Sequence, residues 1–127
     1  MTLPHASEAM IEAAVCDLFT RAGWYALKTD AAQVTRGARH ARPARGTIDV
    51  GFPDRVFLLS LPGSPLCLAA LVELKTATGR VRASQVARHA ELRDRYGLKP
   101  QIVRDARQAE HLIHEGLRLR RLLKGQR

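Results

Sequence analysis

Asp54, closing Gly51-Phe52-Pro53-Asp54, and the two charged residues of Glu73-Leu74-Lys75 are the side-chain types that divalent-metal phosphodiester chemistry requires. Hydrolysis of a phosphodiester needs an activated water and a way to spread charge from the phosphoryl oxygens, and a hard cation held by carboxylates supplies both. A nearby ammonium can steady the charge that develops on phosphate. The spacing supports this use. Side chains alternate along a strand, so Glu73 and Lys75 are expected on one face with alpha carbons roughly 7 Å apart, while Leu74 points into the core. The plainer reading is an ordinary ion pair at a strand end, and a short E-x-K string alone carries no weight. A carboxylate directly after a buried apolar strand is costly, however, unless it is paired or coordinates a cation, and Lys75 neutralises just one of the two acids.

The elements that must position these groups are legible from periodicity. Leu66 to Lys75 reads as a buried strand, since Leu66 to Val72 is an almost continuous apolar run. Asp54 follows a turn in which Pro53 fixes its own torsion and extends Phe52, and it directly precedes the strand Val56 to Leu61. The cluster Pro62-Gly63-Ser64-Pro65 is short enough to join these strands as an antiparallel hairpin, which brings Asp54 toward Glu73. Before them, Ser7 to Ala22 reads as an amphipathic helix stopped by Gly23, and Trp24 to Lys28 as a short strand. After them come a helix from Ala83 to Tyr96 ended by Gly97, a strand from Gln101 to Arg104, and a last helix. Asp105 and Gln108 make a capping box for that helix, which turns Ala109, Leu112, Ile113 and Leu117 inward. The order is helix, three strands, helix, strand, helix: an α/β fold of one domain, 1–127, with a mixed sheet flanked by helices.

The net charge of +9, from 21 Lys and Arg against 12 Asp and Glu, predicts a polyanionic partner, most simply nucleic acid. No apolar run approaches the roughly 20 residues of a membrane span, so no membrane partner is expected. The N-terminus lacks the basic and apolar regions of a secretory signal, and Cys16 and Cys67 are expected as buried free thiols of a reducing compartment. A cytoplasmic site, in a bacterium or a phage-infected host cell, is therefore expected. Residues 31 to 50 carry Arg36, Arg39, His40, Arg42 and Arg45 with no acid until Asp49, and read as a mobile basic loop that contacts phosphates, although a solubilising face would look similar. Arg118, Arg120, Arg121, Lys124 and Arg127 form a second basic cluster, read as a tail over 118–127. His111 and His114 lack nearby Cys or paired acids, so no zinc site is expected.

Gly51-Phe52-Pro53-Asp54, Val72-Glu73-Leu74-Lys75-Thr76, Gly79-Arg80-Val81 and Gln85 together resemble the PD-(D/E)XK nuclease superfamily, and within it the virus-type replication-repair (VRR-NUC) branch. The likeness runs from about Glu8 to Arg107. Arg82 departs from it, standing where the branch often has a Ser or Thr helix cap. The resemblance implies a restriction-endonuclease-like core and a structure-selective DNA endonuclease, similar to the short phage versions that resolve Holliday junctions as homodimers. It also implies Mg²⁺, with Mn²⁺ as a substitute, held by Asp54, Glu73 and the Leu74 carbonyl. Lys75 would orient the attacking water or steady the phosphate, and Gln85 would hydrogen-bond the water or Lys75. The branch has an acid near the start of its first helix, which Glu8 matches at fifteen residues before Gly23; Glu12 is the second choice, and either could simply favour the helix dipole. Arg36, Arg39, Arg42, Arg45 and Arg80 are the candidate DNA contacts. A non-catalytic basic nucleic-acid-binding domain on the same fold is the alternative.

Overall fold

A computed structural model describes residues 6–30 and 48–124. Ser7 opens the first helix, α1 (Glu8–Arg21), by accepting the Met10 N–H on its hydroxyl at 3.2 Å. Ile11, Val15 and Phe19 are its buried stripe. Three strands follow, β1 (Tyr25–Lys28), β2 (Arg55–Ser60) and β3 (Cys67–Leu74), then α2 (Ala83–Tyr96), β4 (Gln101–Val103) and α3 (Ala106–Lys124). The four strands form one mixed sheet in the order β1-β2-β3-β4, antiparallel except for the parallel pair of β3 and β4. The element order is the one expected from the sequence.

The sheet's two faces differ. Phe57, Leu59, Val72, Leu74 and Val103 join Ile11, Val15 and Phe19 of α1 and Ala109 and Ile113 of α3 in the apolar core. Phe19 stacks on Phe57 at 3.9 Å and meets Trp24 edge-on at 5.1 Å. Gly116 lets α3 close over this corner, since a Cβ there would stand 2.3 Å from the Trp24 ring. The other face carries Tyr25 and Leu27, both exposed, with Leu58 and Leu71 half-buried.

The structure corrects four expectations, the first two through that asymmetry. β3 is buried only over Val72, Glu73 and Leu74, because among the described residues no helix covers the other face along its first half. Cys67, beside the hairpin turn, is exposed rather than buried, and Cys16 is half-buried. The basic residues Arg118, Arg120, Arg121 and Lys124 belong to the last turns of α3 and not to a tail, while Arg127 lies outside the described residues. There cations favour the helix dipole, and Arg118 pairs with Glu115. At the start of α3, Asp105 accepts the Gln108 N–H, but the Gln108 side chain returns its bond to the Arg104 N–H, one residue earlier than a capping box requires. No helix of the described residues is long and apolar enough to cross a membrane.

Candidate active site

Asp54 is held by three local devices. Gly51 has a φ of +85°, and a Cβ on it would meet the Ser84 carbonyl at 2.2 Å, so the turn lies flush against the first turn of α2. Arg88 of α2 clasps the same turn, donating to the Val50 carbonyl at 3.1 Å and pairing with Asp49 at 3.5 Å. From the other side Thr29 donates its hydroxyl to the Pro53 carbonyl at 2.7 Å and its N–H to the Asp54 carbonyl at 3.0 Å. The β2–β3 register pairs Arg55 with Val72, which leaves Asp54 opposite the end of β3. One Asp54 carboxylate oxygen accepts the Leu74 N–H at 3.0 Å. The neighbouring Lys75 N–H goes the other way, to Val103 of β4.

Glu73 is wholly buried, and Lys75 nearly so, with its ammonium 4.0 Å from Glu73 Oε2. As the alternation predicts, both lie off the core face while Leu74 packs inside it. The proton affinity of Glu73 is pushed up to about 9. Burial is the first cause, followed by the Asp54 carboxyl, which is close enough to share a proton and adds its own charge. Lys75 opposes these effects, and the charge of Glu8 adds to them.

Gln85 reaches this cluster, although not in the role expected for it. Its amide nitrogen donates to Glu73 Oε2 at 3.0 Å, and its amide oxygen accepts the Arg82 N–H at 2.8 Å. Gln85 therefore caps α2 itself. Arg82 has only side-chain donors and cannot return the bond, so the departure at that position leaves the helix start intact. Of the two acids on α1, Glu12 is taken by an ion pair with Arg55 at 2.5 Å. Glu8 is exposed, and its charge is felt at Glu73. Arg80 is exposed in the connection before α2, while Arg36, Arg39, Arg42 and Arg45 lie outside the described residues.

A further member of the cluster is one that the sequence does not single out. His89 is buried on α2 with Nε2 3.5 Å from Glu73 Oε1. Burial, and then the Arg93 charge, lower its proton affinity below that of an ordinary imidazole. Its position four residues after Gln85 places both on one helical face, a signal available in the sequence.

The donors suit a hard cation in kind: Asp54 and Glu73 offer carboxylate oxygens, and the buried Glu73 Oε1 has no hydrogen-bond partner among the described residues. Among the described residues no group of three or more His, Cys, Asp or Glu side chains is arranged to hold a metal. A two-carboxylate set fits Mg²⁺ in particular, which keeps several waters and commonly takes only one or two protein carboxylates. No protein-family model matches the chain, and no curated protein sequence matches it either.

Proposed function

We propose that this protein is a metal-dependent DNA endonuclease with a restriction-endonuclease-like core of the VRR-NUC type. The observation that carries the reading is the buried Glu73 beside the half-buried Asp54, brought together from a strand end and a turn and flanked by Lys75. A buried carboxyl whose proton affinity is raised by burial and by a neighbouring acid is what a divalent cation would relieve. Asp54 and Glu73 would hold Mg²⁺ or Mn²⁺ with the Leu74 carbonyl beside them, and Glu8 would reach the shell through water. When bound, the cation supplies Lewis acidity and an activated water.

The chain's own residues do the rest. Gln85 fixes the rotamer of Glu73 through Oε2. Lys75 carries a positive charge to the same spot, where it would meet a phosphoryl oxygen. Arg36, Arg39, Arg42, Arg45 and Arg80 would carry the DNA backbone, consistent with the net charge of +9. Branched DNA is the proposed substrate and a homodimer the proposed assembly, because a closed twofold would present one site to each of two symmetry-related strands.

The absence of a third metal-ligating side chain among the described residues favours a second reading, a basic DNA-binding domain without hydrolysis. One experiment separates them. A labelled four-way junction, a flap and a linear duplex are incubated with the protein in Mg²⁺, Mn²⁺ or EDTA. Cutting of the junction that stops in EDTA supports the nuclease, cutting that persists in EDTA overturns its mechanism, and tight binding with no cutting supports the binder.

A further inference from the structure

Two buried polar atoms in this cluster lack partners among the described residues and lie 3.5 Å from each other: Glu73 Oε1 and His89 Nε2. Leaving either unpaired inside a protein is costly, and pairing them satisfies both together. Their present alignment falls short of a formed hydrogen bond, which is common for such contacts before substrate and metal arrive. Gln85 already holds the other oxygen of the same carboxyl from one turn earlier on α2.

We infer that His89 is a positioning residue for the Glu73 carboxyl, directing its Nε2–H at Oε1 while Gln85 holds Oε2, so that one face of α2 grips both oxygens. The functional half of this inference rests on the nuclease reading; the hydrogen bond itself does not. A neutral imidazole suits the task because it orients the carboxylate without competing with a cation for its charge. The gap between Asp54 and Lys75 then stays the direction in which Glu73 can meet a metal.

Nitrogen chemical shifts of His89 in the metal-free, otherwise unaltered chain read the tautomer directly. The Nε2–H form is expected; a ring protonated on Nδ1 with bare Nε2 overturns the inference. The second measurement is Mn²⁺ affinity from the loss of the free-ion paramagnetic resonance signal. His89→Leu is expected to weaken it about 10- to 100-fold, as removal of an outer hydrogen bond to a metal-binding group does. His89→Gln, which keeps a donor at similar reach, is expected to restore affinity to within a few-fold, with junction binding in EDTA equal in all three proteins. A folded His89→Leu protein with unchanged Mn²⁺ affinity, or a His89→Gln protein as weak as His89→Leu, overturns it. If the unaltered chain neither binds Mn²⁺ nor cuts, the nuclease reading fails, and the tautomer still decides the hydrogen bond.

Discussion

Replacing Glu73 by Gln is expected to stabilise the metal-free protein while removing its response to metal. Glu73 keeps its proton up to about pH 9 in the folded chain, against an ordinary value of 4.5. Below the lower value both states are protonated and the group contributes nothing. Between the two values the folded state holds a proton that the unfolded state has lost, so stability falls as pH rises, and above the upper value the penalty is constant. Each pH unit in that window is worth about 1.4 kcal/mol. Between pH 5 and pH 8 the ideal loss is therefore about 4 kcal/mol, and relaxation around the site should reduce it to about 2–4 kcal/mol.

Glutamine cannot ionise, yet it retains an oxygen for the Gln85 amide. Chemical denaturation in EDTA at pH 5 and pH 8 measures the difference. Glu73→Gln should gain about 2–4 kcal/mol on the unaltered protein between the two pH values. Added Mn²⁺ should then raise the midpoint of the unaltered protein alone, by mass action. A difference that stays flat from pH 5 to pH 8, or a variant that Mn²⁺ stabilises equally, refutes the assignment of the buried acid.

Lys75→Ala should abolish cutting of a four-way junction while leaving its affinity within a few-fold, read by single-turnover cleavage beside a binding titration. Gly51→Ala should destabilise the fold by about 2 kcal/mol or more, because its φ of +85° disfavours a side chain and the Cβ would strike the Ser84 carbonyl; the denaturation midpoint measures it. Changing Arg36, Arg39, Arg42 and Arg45 to Ala should weaken DNA binding and flatten its salt dependence by roughly 0.9 in log–log slope for each phosphate that is no longer neutralised. An unchanged slope would show that these arginines do not meet phosphate.

Much of the architecture is written in punctuation. Ser7 caps α1, Gly97 ends α2 in the left-handed region with a φ of +67°, and the turn at 62–65 fixes the register that carries Asp54 to Glu73. These are local effects, and a sequence reports them. Burial along β3 is a tertiary property: the apolar run from Leu66 to Val72 cannot reveal that, among the described residues, helices cover one face of the sheet and leave much of the other open, so it predicts Leu66 and Cys67 inside while both stand exposed. The basic C-terminal cluster hides a helix for a similar reason, since its leucines at 119, 122 and 123 are exposed and give no clean buried stripe. At the site, the types of Asp54, Glu73 and Lys75 are readable, but the partner of Gln85 and the presence of His89 depend on how α2 docks. Helical spacing says that Gln85 and His89 share a face; it does not say what that face meets.

The docking of α2 ties the fold to the chemistry in an unusual way. Only His89 and Leu92 of this helix are buried, and neither belongs to the main apolar cluster. Among the described residues its hydrogen bonds run from Gln85 to Glu73 and from Arg88 to the turn before Asp54, where the Gly51 backbone packs close against Ser84. The helix is thus fastened chiefly through the groups it arranges, and its amides should be among the first to exchange with solvent. Ordering of this segment and assembly of the acidic pair then become a single event, so whatever tightens one must rigidify the other.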